Sequence, residues 1–299
     1  MSDSDVADTA VAPLAPEWFS RAIACQPQSC FVDIDGTPIH YLSWNAADTH
    51  KPSLLFAHGF RAHARWWSFV APFFLSRYRV VALDFSGMGD SGIRPGYTAS
   101  QFSRDIAGVI HHAQLGRTTL VGHSFGGGRV LRFCADYADQ VERAIVIDGY
   151  VPLASFTRHK GPSTLQLRPK KIYPTYAAAR ERFRLVPEDN SAAAYVLDYV
   201  GRHSLHEVEG GWTWKFDESF VPRQFESDSE TAESLLARIA VPVTYVYGDL
   251  SVVVNRAEAL AIVELLAHGR GPIAIPQAHH HVMLDQPLSL VAALKGILY

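Results

Sequence analysis

Short apolar runs alternating with helical stretches constrain this chain more than any other feature. The runs are Ser53–Ala57, Arg79–Leu83, Thr118–Val121, Arg143–Ile147, Val243–Tyr247 and Pro272–Ile275. Segments of helical period, at Arg65–Leu75, Ser100–Leu115, Gly126–Tyr137, Arg256–His268 and Leu288–Leu298, fall between and after them. Runs so short and so rich in β-branched residues are apolar on both faces. A strand tolerates that where helices cover both sides of a parallel sheet. Two extended segments come earlier, Cys30–Ile34 and Thr37–Trp44, joined by Asp35-Gly36, a strong hairpin signal. The predicted fold is α/β, a mostly parallel eight-stranded sheet with helices on both faces.

Between residues 150 and 240 the alternation stops. That stretch is rich in Arg, Tyr and Trp, with helix-like pieces at Tyr176–Phe183, Ala192–His203 and Thr231–Ala240. It is too long for a plain connection, and it falls where open α/β sheets bind ligands, beyond the carboxyl ends of the strands. The expected organisation is a flexible arm over residues 1–16, a core over 17–149 and 241–299, and an inserted helical cap, or lid, over 150–240.

Composition removes several functions. Lys and Arg number 27 against 30 Asp and Glu, a net charge of −3, and phosphate backbones call for a basic excess on one face. Nucleic acid is therefore not an expected partner. No apolar run approaches the ~18 residues of a membrane span, and the first residues, MSDSDVADTAVAPLAPE, lack the basic start and apolar stretch of a secretory signal. The three cysteines, Cys25, Cys30 and Cys134, form neither a disulfide framework nor a C-x-x-C pair. A cytoplasmic protein is expected, with no membrane partner, as a monomer or homodimer.

The chemistry begins where strand Thr118–Val121 runs into Gly122-His123-Ser124-Phe125-Gly126 and then a helix. A G-x-S-x-G turn between strand and helix is a nucleophile elbow. The serine takes a strained conformation, flanking glycines let strand and helix pass, and the hydroxyl sits at the positive end of the helix dipole. The alternative, a phosphate-binding turn, lacks both G-x-G-x-x-G and a terminal Gly-Lys-Ser/Thr. Near the C-terminus, His279-His280-His281 follows the last strand. A histidine there can reach a serine at the sheet's carboxyl edge and accept its proton. Three adjacent histidines also suggest a metal, but neighbouring loop residues seldom point at one ion, and no carboxylate or Cys at ligand spacing accompanies them. Neither a metal nor a cofactor is expected.

His58-Gly59-Phe60, the run Val81-Ala82-Leu83-Asp84-Phe85-Ser86-Gly87-Met88-Gly89-Asp90-Ser91, the elbow at Ser124 and the His280 loop together resemble the α/β-hydrolase family. The likeness covers roughly residues 30–148 and 240–299. It implies Ser124 as nucleophile and His280, seven residues before Pro287, as base, with His279 where the family usually has Gly. It further implies an oxyanion hole from the backbone N–H groups of Phe60 and Phe125, with His58, Asp84 and Asp90 as scaffold. The family's acid usually stands three residues after the Gly ending the strand behind the cap. Here that Gly is Gly248 and the position holds Ser251, which cannot steady an imidazolium. Asp148, at the end of the preceding strand, is the favoured replacement. Asp249 and a dyad without a working acid are the alternatives.

A serine with a histidine base attacks an acyl carbonyl and passes through an acyl-enzyme. The expected activity is that of a serine esterase acting on a carboxylic ester or lactone. The competing readings are a carbon–carbon bond hydrolase of the same fold and a ligand-binding protein with weak turnover. Aromatics point to a largely apolar pocket for a small or medium substrate, with Trp67, Tyr150, Trp212 and Trp214 as candidate lining. Arg180, Arg182, Arg184, Arg202 and His203 are positioned in the sequence to receive a substrate carboxylate, or else to face solvent.

Overall fold

The computed structural model describes residues 15–156, 170–188, 190–220 and 230–299. The arm expected over residues 1–16 lies almost wholly outside them. From Glu17 to Ala24 the chain is helical (α1) and sinks Phe19 and Ala22 into the core. The sheet then begins with β1 (Gln28–Ile34), β2 (Thr37–Trp44), β3 (Ser53–Ala57) and β4 (Arg79–Leu83). It continues with β5 (Thr118–His123) and β6 (Val141–Ile147) and, after the intervening segment, β9 (Val243–Gly248) and β10 (Gly269–Ile275). The spatial order is β1-β2-β4-β3-β5-β6-β9-β10. β1 and β2 join antiparallel, and every pairing from β4 to β10 is parallel.

The apolar runs are buried as their composition requires: every residue of β3, β4, β5 and β9 is inside. The period of two divides them between two cores. Leu55 and Ala57 face Phe102, Ile106 and Val109 of helix α2 (Ala99–His112) and Val130 and Phe133 of helix α3 (Phe125–Asp136). Leu54 and Phe56 face Phe19, Trp67, Phe69 and Leu290 on the other side. Gly36, at φ 76°, makes the β1–β2 turn.

Two segments differ from the sequence expectation. Arg65–Leu75 is not one helix but two 3₁₀ turns, Ala64–Trp67 and Ala71–Phe74. Pro72 lacks the N–H that would carry an α-helix through, and bulky Trp, Phe and Val gain little from helical geometry. Between β6 and β9 the described residues include helices α4 (Tyr176–Arg180), α5 (Ala194–His203) and α6 (Ala232–Ala237). They also form a two-stranded hairpin, β7 (Leu205–Val208) with β8 (Gly211–Trp214), where only helices were expected. Gly210 and Gly211, at φ 86° and 141°, supply its turn.

The strand order matters for chemistry. β4 and β5 lie on opposite sides of β3, so the loops leaving β3 and β5 diverge and open a crevice at their carboxyl ends.

Candidate active site

β5 ends at His123 and α3 begins at Phe125, leaving Ser124 alone to make the turn. Its backbone sits at φ 52°, ψ −118°, a region that residues bearing a Cβ rarely occupy. Neighbours hold it there. The Ser124 N–H donates to the Ile147 carbonyl at 2.9 Å, and the Ser124 carbonyl accepts from the Gly128 N–H at 3.2 Å. The crossing of strand and helix leaves no room for side chains. A Cβ on Gly122 would lie 2.5 Å from the Gly126 carbonyl oxygen, and one on Gly126 would lie 2.5 Å from that of His58.

Residues that are 156 positions apart in the chain meet at this turn: His280 Nε2 is 2.8 Å from Ser124 Oγ. The other ring nitrogen, Nδ1, is 3.3 Å from Asp148 Oδ2. A proton on Nδ1, facing the carboxylate, leaves Nε2 with a lone pair for the serine hydroxyl. His280 is only 3% exposed. Burial pushes its pKa down to about 3, against the opposing pull of the Asp285 carboxylate, so at neutral pH the ring is an uncharged base.

Asp148 closes β6 at φ 48° and is fully buried. Its N–H donates to the Val246 carbonyl at 2.8 Å, and the Tyr245 hydroxyl donates to the carbonyl of the next residue, Gly149. Asp249, by contrast, is exposed and makes no hydrogen bond to His280. Ser251 caps a turn, its hydroxyl accepting from the N–H groups of Val253 and Val254 at 3.1 and 3.3 Å.

The β3 loop borders the same turn. A Cβ on Gly59 would come 3.5 Å from Ser124 Cβ, so the Phe60 amide follows directly on a residue beside the serine. Phe125 occupies the first helical position, where the N–H has no carbonyl partner within its own helix. His58 fixes this loop, with Nδ1–H donating to the Gly59 carbonyl at 2.7 Å and Nε2 accepting from the Phe85 N–H at 3.1 Å. That pattern needs a neutral ring, and burial lowers its pKa accordingly. Burial works against the Asp84 carboxylate, but the hydrogen bond from His40 and nearby histidines bring its pKa down to about 2. It accepts from His40 at 2.7 Å, Ala64 N–H at 2.5 Å and Asp90 N–H at 2.9 Å. Asp90 itself pairs with Lys215 at 2.5 Å.

The three loop histidines part company. His279 turns to Asp285, Nδ1 to Oδ2 at 3.2 Å. His281 packs edge-on against Trp66, with ring centroids 5.4 Å apart. With His123 and His280 it forms a buried trio whose ligand nitrogens lie within 4.8 Å of one another. His123 has a position the sequence reading passed over: its Nε2–H donates to the His280 carbonyl at 2.9 Å, tying the base loop to the elbow. Its place between Gly122 and Ser124 was the available signal.

The expected pocket residues scatter. Trp67 is a correction: it is fully buried and stacks on Phe56 at 4.7 Å. It fills the core on the far face of the sheet, because the 3₁₀ turn points it inward. Trp212 packs edge-on to Tyr176 at 5.1 Å, and Trp214 meets Tyr173 and Phe183, each at 6.2 Å, so both lie within the intervening segment. Tyr150 is 40% exposed on the loop after Asp148. One aromatic ring that packs on both candidate oxyanion residues went unnoticed in the sequence: Phe220, with centroids 5.2 Å from Phe60 and 5.6 Å from Phe125. Of the intervening-segment arginines, Arg180 and Arg202 pair with Asp198 and Arg184 bonds to backbone carbonyls.

Among the described residues no helix is long and apolar enough to cross a membrane. A sequence profile described as "Alpha/beta hydrolase family" matches residues 54–294. An esterase of Mycobacterium tuberculosis is 24% identical over 268 residues, which is 87% of this chain and 86% of that one. The chain spans about half the length of several curated relatives it matches, such as a serine hydrolase-like protein of Danio rerio, 28% identical over 188 residues and 56% of each chain. Among solved structures, E-2-(acetamidomethylene)succinate hydrolase superposes with a TM-score of 0.76 at 21% identity, over 91% of this chain and 98% of that one. With the sheet order, the elbow and the profile in agreement over most of its length, this chain belongs to the α/β-hydrolase family.

Proposed function

We propose that the protein is a serine hydrolase that cleaves a carboxylic ester or lactone through an acyl-enzyme. The observation that carries this reading is the 2.8 Å approach of His280 Nε2 to Ser124 Oγ on a strained elbow. In the proposed mechanism, Nε2 takes the hydroxyl proton as Oγ bonds to the substrate carbonyl carbon. The carbonyl π electrons move to oxygen, and the N–H groups of Phe60 and Phe125 receive that oxyanion. Collapse of the adduct expels the alcohol, which takes the proton from His280. Water then repeats the sequence and frees the acid. Asp148 orients the imidazole and steadies its charge.

A carboxylate nucleophile would be needed for displacement at saturated carbon, and position 124 is Ser. The esterase of Mycobacterium tuberculosis, similar over most of the chain, supports ester chemistry. Phe60, Phe125 and Phe220 give an apolar lining fit for a small or medium acyl group, and the described part of the segment between β6 and β9, with α4, α5, β7 and β8, serves as the cap. The test is a fluorophosphonate probe with a panel of p-nitrophenyl esters, lactones and a ring-fission dienone. Labelling at Ser124 and turnover of esters or lactones, both lost in Ser124→Ala, are expected. Turnover of the dienone alone would move the reading to carbon–carbon cleavage, and a folded protein that resists the probe would make it a binding protein.

A further inference from the structure

Arg61 follows directly on Phe60, and its guanidinium is packed onto aromatic rings rather than ion-paired. Its Cζ lies 4.2 Å from the Phe216 ring centroid and 5.2 Å from that of Phe60. Both Nε and Nη2 are shielded from solvent and, among the described residues, have no hydrogen-bond partner and make no ion pair. Burial lowers its pKa, with Glu218 opposing that from a distance. A buried donor left unsatisfied costs free energy, and a charged one costs more. Aromatic faces recover only part of that.

The backbone at this position is also unusual. Arg61 adopts φ 56°, a left-handed conformation that side-chain-bearing residues seldom take. Its N–H points at Met88 Sδ, 3.2 Å away, and Met88 bridges to Phe216. The side chain is thereby held between the β3 loop and the intervening segment. Phe220, four residues beyond Phe216, packs on Phe60 and Phe125. The arginine thus borders the aromatic cluster that adjoins the candidate oxyanion amides.

Nε and Nη2 are the two nitrogens on one edge of a guanidinium, and their parallel N–H bonds match the two oxygens of a carboxylate. We infer that Arg61 is a specificity residue that receives a carboxylate carried by the substrate, so that the preferred ester or lactone is an anion. This rests on the ester-hydrolase reading above. It moves the carboxylate-binding role from Arg180, Arg184 and Arg202, which are engaged with Asp198 and backbone carbonyls, to an arginine whose paired donors are unpartnered among the described residues.

The test compares mono-p-nitrophenyl glutarate with p-nitrophenyl pentanoate, acyl chains of equal length that differ by the terminal carboxylate. Wild-type kcat/KM is expected to favour the glutarate. Arg61→Met should cut that preference by about 10- to 100-fold, the worth of hydrogen bonds to a charged group, and Arg61→Lys should restore part of it. Calorimetric titration of the same pair into Ser124→Ala, with and without Arg61→Met, reads binding without turnover. It decides the matter even if Ser124 is not the nucleophile. Thermal melting separates a structural role, since losing an unpaired buried charge should leave the midpoint of Arg61→Met at or above wild type. Equal use of both esters by the wild type, a preference unchanged in Arg61→Met, or a lowered midpoint would each overturn the assignment.

Discussion

Asparagine at position 148 separates the two carboxylates that compete for His280. It keeps the size of the side chain and accepts φ near 48° more readily than most residues, so the turn survives while the charge goes. As Ser124 gives up its proton, His280 becomes cationic with Asp148 Oδ2 3.3 Å from Nδ1. Two unit charges at that separation attract by about 5 kcal/mol at an effective dielectric of ~20. Since ~1.36 kcal/mol is tenfold, Asp148→Asn should lower kcat by about 10³- to 10⁴-fold, comparable to the loss when a serine protease's carboxylate is so replaced. Hydrolysis of a p-nitrophenyl ester and the rate of fluorophosphonate labelling both read this, and circular dichroism checks the fold. Asp249→Asn, at an exposed position, should stay close to wild type. Activity of Asp148→Asn within about tenfold of wild type, beside a collapse in Asp249→Asn, would refute the reasoning.

Acid should unfold this protein early. His58, His63, His123, His280 and His281 are all buried, and burial holds each below the ordinary 6.5. The unfolded chain therefore takes up more protons, and stability present above pH 6.5 is lost as pH falls toward 3. For His63 and His280, both brought to about 3, the loss between pH 7 and 5 is ~2 kcal/mol each; a melting midpoint flat over that range would contradict it. Trp67→Ala should cost ~3–5 kcal/mol of stability in urea unfolding with the order of preferred esters unchanged; altered preference without lost stability would return Trp67 to the pocket. Gly126→Ala places a Cβ 2.5 and 2.6 Å from the carbonyl oxygens of His58 and Ala57. Backbone there has nowhere to go, so a loss of ~1–3 kcal/mol or more is expected, measured by the same unfolding; a neutral substitution would show that the elbow is looser than described.

The core was legible because burial on both faces leaves a plain mark on composition: β3, β4 and β9 fall where their apolar runs begin. The elbow was legible because the crossing at Gly122 and Gly126 excludes side chains. The intervening segment was not. Its hairpin rests on partners such as Tyr173 and Thr213, whose bonds reach across 39 and 42 positions, and local pattern carries no trace of such pairing. Trp67 misled for a related reason: an aromatic near a motif reads alike whether it faces a ligand or a core.

What the sequence determined by itself was the parallel sheet and the turn that presents Ser124, since each follows from short-range pattern and stereochemistry. The candidacy of His280 among three adjacent histidines came from the resemblance to the family, through its spacing to Pro287. Only the tertiary structure decided that Asp148 lies against the imidazole while Asp249 faces solvent, that His123 holds the base loop, and that Arg61 keeps two donors unmet. Those facts depend on which distant segments meet and on what burial leaves unpaired, and side-chain spacing along a chain encodes neither.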